Sequence, residues 1–150
     1  MGTKTIVAID YDGTMTRSMS YPDVGELRDC LVELVKELKQ NGVVTILWTC
    51  RAGKDLDDAV TYLKSKGVEF DYINEGYPPN VEAYKEIGLS PKIGADIYYD
   101  DKNFGFSHYV WGLQKCIADL VISRGGEYTP YLKRETHNCK GCMSCNYFND

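Results

Sequence analysis

Asp10, Asp12, Thr49, Asp100 and Asp101 are the residues whose types and positions could do chemistry in this chain. Asp10 and Asp12 follow a short apolar run, Ile6-Val7-Ala8-Ile9, and lead into a turn at Gly13-Thr14. In an extended chain residues i and i+2 point the same way, so the spacing predicts the two carboxylates side by side over one spot. Charges that close repel, and unless a cation sits between them one is driven to hold a proton. A second acid pair, Asp100-Asp101, ends the run ADIYY at 95–99, and Thr49 ends the run VVTILW at 43–48. Carboxylates converging beside a threonine call for a hard, oxygen-loving cation, and Mg²⁺ is the usual choice when phosphate is the other partner. The two histidines, His108 and His137, fall at no strand end, so a histidine-built zinc hydrolase site is not expected.

The elements that must position these residues follow from hydrophobic periodicity. A brief β-branched run reads as a strand buried on both faces of a parallel sheet, with the acids at its C-terminal lip. Pro22-Asp23 marks a helix start, and Val24, Leu27, Leu31, Leu34, Val35 and Leu38 recur at helical spacing up to a stop at Asn41-Gly42. A second helix carries Leu56, Ala59, Val60 and Leu63 and stops at Gly67, ahead of a third strand, VEFDYI, at 68–73. Residues 74–80, with Pro78-Pro79, read as loop, followed by a short helical piece over 81–87. Tyr109, Leu113, Ile117, Leu120 and Val121 mark a last helix ending at Gly125-Gly126, beyond which no core pattern is visible. Alternating units of this kind specify an α/β fold, a doubly wound three-layer αβα sandwich with a mainly parallel sheet. Ligands bind such sheets beyond the carboxyl ends of the strands, where all five residues fall. The expected organisation is one catalytic domain over 1–126 and a Cys-rich tail over 127–150.

DYDGT at 10–14, an apolar strand ending in Thr49, and IYYDD at 97–101 resemble the haloacid dehalogenase superfamily of phosphohydrolases, in order and spacing over Thr5 to Gly105. WTCR at 48–51, FDYINE at 70–75 and DDKNFG at 100–105 resemble its small bacterial and phage members. The resemblance implies a phosphatase in which Asp10 attacks phosphorus to form an aspartyl-phosphate. Asp12 then protonates the leaving oxygen and later deprotonates the hydrolytic water. It further implies that Gly13, Thr49 and a lysine hold the phosphoryl group, and that Asp10, Asp12, Asp100 and Asp101 make the metal site. Asp100 is favoured as direct ligand with Asp101 behind it. Lys92, eight residues before Asp100, is the lysine chosen, with Lys85 the alternative. Both intervals between motifs hold a single βα unit, so no cap domain is expected, and the site should be open to solvent.

Composition bounds the partners. With 150 residues, 43% apolar residues and a net charge of −5, one soluble globular domain is expected, without an extended nucleic-acid groove, since backbone binding rests on clustered Lys and Arg. No apolar segment approaches the roughly 20 residues of a membrane helix, and no secretory signal precedes the first strand, so a cytoplasmic protein is expected. The substrate is expected to be a phosphorylated small molecule, with room for an oligomer. Cys30, Cys50 and Cys116 read as reduced thiols in or near the core. His137, Cys139, Cys142 and Cys145 form a tentative second metal site for Zn²⁺ or an iron–sulfur cluster, against the plainer reading of a thiol-bearing tail without metal. Two further readings stand beside the phosphatase: a nucleotide or nucleic-acid-end phosphatase, and a non-catalytic metal-binding or regulatory protein acting through that tail. Arg51 reads as a phosphate contact or a solvent-facing residue at a helix start, and His108 as a packing or capping residue.

Overall fold

Four short apolar runs pair as parallel strands in a computed structural model that describes residues 3–132. They are β1 (Ile6–Ile9), β2 (Val44–Leu47), β3 (Tyr72–Ile73) and β4 (Ile97–Tyr99), in the order β3-β2-β1-β4. The register sets Ile6 against Val44, Ile9 against Leu47, Ile9 against Tyr99 and Leu47 against Ile73. Helices α1 (Asp29–Gln40), α2 (Gly53–Ser65), α3 (Pro78–Tyr84) and α4 (Val110–Ser123) alternate with the strands. Strand alternation sends Val7, Ile9, Leu47 and Tyr99 into a main core with α1, α2 and α4. Ile6, Ala8, Val44 and Ile46 face the other way, covered by Ile93 and by Tyr77 beside α3. The result is the expected α/β three-layer fold with a parallel sheet and no separate cap domain. Because the chain moves from β1 outward to β2 and β3, then crosses back to β4, the order reverses between β1 and β4. In sheets of this kind the switch point is where ligands bind.

Several expected boundaries are corrected. Helix α1 begins at Asp29, not near Pro22. Residues 16–28 instead form a strap that doubles back, with Arg17 N donating to Glu26 O at 2.8 Å, Arg28 N to Met15 O at 2.7 Å, and Thr16 bridged to Leu27. Val24 and Leu27 share the helical spacing of Leu31 but serve the strap, where the backbone pairing satisfies its own polar groups. Helix α3 begins at Pro78, inside the stretch read as loop, because the missing N–H groups of Pro78 and Pro79 cost nothing in a first turn. Strand β3 is only two residues long: Val68 N donates to Leu63 O at 3.0 Å to close α2, and the Asp71 carboxylate accepts from Thr45 N at 2.8 Å. Cys30 is buried as expected, while Cys50 and Cys116 are exposed.

Past Gly126 the chain does carry core contacts. Tyr128 and Leu132 pack against the main core, and Glu37 of α1, 2% exposed, receives the backbone N–H groups of Tyr131 and Leu132. The stretch with His137, Cys139, Cys142 and Cys145 lies outside the described residues. Among the described residues no helix is long and apolar enough to cross a membrane.

Candidate active site

Strand β1 stops at Ile9, and Asp10 is held at its lip between two strands: its N–H donates to Tyr99 O at 3.0 Å, while Trp48 N donates to Ile9 O at 2.9 Å. The chain then makes a single wide turn, in which Met15 N reaches Asp10 O at 3.3 Å and Thr16 N reaches Tyr11 O at 3.1 Å. Gly13 takes φ +80° there, a conformation that disfavours any side chain. A Cβ at Gly13 would also come within 3.0 Å of Asp101 Cγ and closer still to Oδ2. Gly13 is therefore required by the close approach of the acid pair. Its N–H donates to Thr16 Oγ1 at 2.8 Å.

The buried hydroxyl of Thr14 ties the two halves of the site together. It lies 3.3 Å from Asp10 Oδ2 and 3.3 Å from Asp101 Oδ1, and accepts from Asp101 N at 2.9 Å. Asp10, Asp100 and Asp101 each bring a carboxylate oxygen into one group whose members lie within 4.8 Å of one another. Burial, first, and the charges of Asp100 and then Asp101 push the Asp10 carboxyl up to about 7, against the opposing hydrogen bonds from the Tyr11 backbone and Thr14. Lys102 Nζ lies 3.3 Å from Asp101 Oδ2 on a largely exposed side chain, and Lys102 N donates to Asp100 Oδ1 at 2.8 Å.

The Asp12 carboxylate is not part of the group made by Asp10, Asp100 and Asp101. The chain has already left the strand, so period-two alternation no longer applies, and the Asp12 carboxylate turns to Arg51, with Arg51 Nε 2.8 Å from Oδ2 and Nη2 2.8 Å from Oδ1. Arg51 is 2% exposed. Its remaining N–H groups go to Pro22 O at 3.1 Å, Asp55 O at 3.1 Å and Asp23 O at 2.6 Å. All five guanidinium donors are thus used, and the residue is neither a solvent-facing cation nor a free phosphate contact. The rings of Tyr11 and Tyr21 enclose it, 4.9 Å and 5.2 Å from Cζ.

Thr49 ends β2 at the same lip, where Asn74 holds it: Thr49 N donates to Asn74 Oδ1 at 2.8 Å, and Asn74 Nδ2 donates to Arg51 O at 3.2 Å. Arg51 N donates to Thr49 Oγ1 at 3.2 Å, which occupies a lone pair and leaves the hydroxyl proton to donate elsewhere. Lys92 stands apart from the carboxylates, its ammonium 4.8 Å above the ring of Tyr98, two residues short of Asp100. Lys85 pairs with Glu82 on α3. His108 packs edge-on against Phe106 with centroids 4.7 Å apart. Thr14, Asn74 and Lys102 had not been singled out as site residues. A readable signal existed for Thr14, a hydroxyl four residues after the strand-end acid. Asn74 is the described residue other than glycine at positive φ, 52°, a conformation Asn adopts more readily than most.

The fold and this lip define the class: a Rossmann-like α/β protein with an acidic site at the topological switch point of its sheet. No model of a known protein family matches the chain, and no curated protein matches it either. The solved structure of a conserved protein from Bacteroides thetaiotaomicron is similar, with 30% identity, a TM-score of 0.67, and coverage of 87% of this chain and 100% of that one. The chain belongs to the family of that conserved Bacteroides protein.

Proposed function

We propose that this protein is a haloacid dehalogenase-type phosphomonoesterase that depends on Mg²⁺ and works through an aspartyl-phosphate on Asp10. The observation that carries the reading is the meeting of Asp10, Asp100 and Asp101 within 4.8 Å at the switch point, with Asp10 raised to about 7 by burial and by its two neighbours. Three hard oxygen donors with so little local positive charge fit a small divalent cation. Asp10, Asp100 and Asp101 would hold it, and when bound it supplies the positive charge that lets a phosphate dianion approach. The Asp12 carboxylate lies outside that group.

Asp10 directly follows the central strand β1, and its backbone is tied to β4 through Tyr99 O, which supports its choice as the carboxylate that attacks phosphorus. The P–O bond to the leaving group breaks as the carboxylate–phosphorus bond forms, and the leaving oxygen takes a proton. Water then attacks phosphorus, loses its proton and releases inorganic phosphate and free Asp10. Asp12 is the proton carrier in this reading. Both of its oxygens accept from Arg51, so carrying a proton means giving up one of those bonds. Thr49 donates its hydroxyl to a phosphoryl oxygen, and Lys92, whose ammonium lies over the Tyr98 ring, is the lysine that the resemblance assigns to the phosphoryl group. Release of phosphate from a generic aryl phosphate in the presence of Mg²⁺ tests the reading. Asp10→Asn is expected to lower the rate on the order of 10⁴-fold or more, as loss of a nucleophile does. Activity that survives this substitution would sink the proposal.

A further inference from the structure

Large apolar side chains are exposed at the lip on two connections: Met19 and Tyr21 on the strap over 16–28, and Phe104 after the acid pair. Tyr21 differs from an ordinary surface aromatic. Its hydroxyl donates to Asp55 Oδ2 at 2.7 Å, and one ring face lies on the Arg51 guanidinium at 5.2 Å, yet the residue is 57% exposed. A ring fixed at its tip and on one face presents the opposite face to solvent in a set orientation. The ordering cost that a mobile side chain would add on binding has already been met within the fold. The same guanidinium lies 4.9 Å from the Tyr11 ring and is forked on Asp12. The open face is thus one guanidinium away from the proposed proton carrier, on the side of the site that no cap covers.

We propose that Tyr21 is a stacking shelf for a planar aromatic group on the leaving side of the phosphate ester. This rests on the phosphatase reading above and adds the substrate class: aryl- or nucleobase-bearing monoesters. Of the connections that rim the lip, the strap is tied to the site through Arg51, which forks on Asp12 and donates to Pro22 O and Asp23 O, so an ester substituent leaving on the Asp12 side passes over Tyr21. The face of a fixed aromatic ring takes a flat π system by offset stacking, whatever its substituents. A saturated ring of equal size is puckered and has no π system, so it packs on that face with less contact.

The test compares benzyl phosphate with cyclohexylmethyl phosphate, which share reach and ester type, using the full chain with Mg²⁺. The wild type is expected to favour the benzyl ester about tenfold in kcat/KM, mainly through KM, the size of one stacking contact. Tyr21→Ala is expected to bring the ratio close to one, while Tyr21→Phe, which keeps the ring, retains most of it. Tyr84→Ala, on an exposed tyrosine of α3, serves as the control and leaves the ratio as in the wild type. If both esters are hydrolysed alike by the wild type, or Tyr21→Ala keeps the preference, the shelf is wrong and the phosphatase stands. If neither ester is hydrolysed, the phosphatase reading falls, and calorimetry with benzylphosphonate and cyclohexylmethylphosphonate decides the shelf. Equal affinities then overturn it, and tighter benzylphosphonate binding that disappears in Tyr21→Ala supports it.

Discussion

Glu37 and the Asp10 cluster handle negative charge in opposite ways. Glu37 is 2% exposed and faces no cation among its hydrogen-bond partners. Its Oε1 accepts from Tyr131 N at 2.6 Å, Leu132 N at 2.7 Å and Gln114 Nε2 at 3.1 Å, while Oε2 accepts from the Tyr128 hydroxyl and from Gln114 Nε2 at 3.0 Å. Burial and the neighbouring carboxylate push the Tyr128 hydroxyl far above its usual range, so it remains a donor. At the lip, three carboxylates share the Thr14 hydroxyl, a few backbone N–H groups and the exposed Lys102. A buried charge ringed by donors is a fastening. Carboxylates that face one another with few donors are arranged for something that arrives later.

The sharpest way to break this comparison is to make the same neutral swap on both sides. Glu37→Gln is expected to cost about 3 kcal/mol, because the new amide turns an NH₂ group toward donors that then have no acceptor. Urea unfolding reads this as a lower midpoint. A cost below about 1 kcal/mol would mean that the 127–132 segment is held mainly by the packing of Tyr128 and Leu132.

Arg51 lies between the two cases, since its Asp12 partner is a carboxylate matched by a buried cation. Arg51→Lys keeps the charge but loses the planar fork, and with it the bonds to Pro22, Asp23 and Asp55 that fasten the strap to α2. A loss of about 2 kcal/mol is expected, with faster proteolytic cleavage within 16–28 than in the wild type. If Lys serves as well as Arg, the forked geometry is not what holds the strap.

These fastenings were the least legible part of the molecule in its sequence, and the reason is distance along the chain. Strands β1, β2 and β4 and helices α2 and α4 could be read because apolar periodicity is local. Asp10, Thr49, Asp100 and Asp101 could be placed because each follows such a run. Arg51 lies 39 residues from Asp12, and Glu37 lies 91 and 95 residues from Tyr128 and Leu132, and no spacing rule reaches that far. The strap was read as helix because Val24 and Leu27 fall in phase with Leu31, and nothing local distinguishes a chain that doubles back. The strand rule that sets Asp12 over Asp10 says nothing of the turn after Ile9, where Asp12 takes Arg51 as its partner.

Asp10→Asn supplies the other half of the neutral swap, with the opposite sign. In metal-free protein it removes a repelled charge and is expected to raise the thermal midpoint by about 2–4 °C, where Glu37→Gln lowers it. The pH dependence follows from the same group. With a folded pKa of about 7 against an ordinary 3.8, Asp10 keeps a proton that the unfolded chain releases. Its contribution to stability is fully present below pH 3.8 and is lost as pH rises through about 7. Metal-free wild type should therefore show a falling component of its midpoint across that window that is missing in Asp10→Asn. Adding Mg²⁺ should raise the midpoint of the wild type more than that of the variant. A midpoint that Asp10→Asn lowers without metal would place the lip with Glu37 as a fastening.

The smallest effect is expected at Asn74, where a neutral amide does for residues 49–51 what a carboxylate does for residues 128–132. Asn74→Gly keeps the φ of +52° accessible and removes both side-chain bonds, to Thr49 N and Arg51 O. The loss should be about 1 kcal/mol, a third of that at Glu37, because neither bond is charge-assisted. Asn74→Ala removes the same two bonds and also sets a Cβ in the left-handed region, which adds about 1 kcal/mol. The order wild type, Gly, Ala in urea midpoints therefore separates the hydrogen bonds from the backbone. An alanine variant as stable as the glycine one would show that the turn after β3 relaxes out of its left-handed conformation once the amide is gone, so that Asn74 holds its own backbone as well as Thr49.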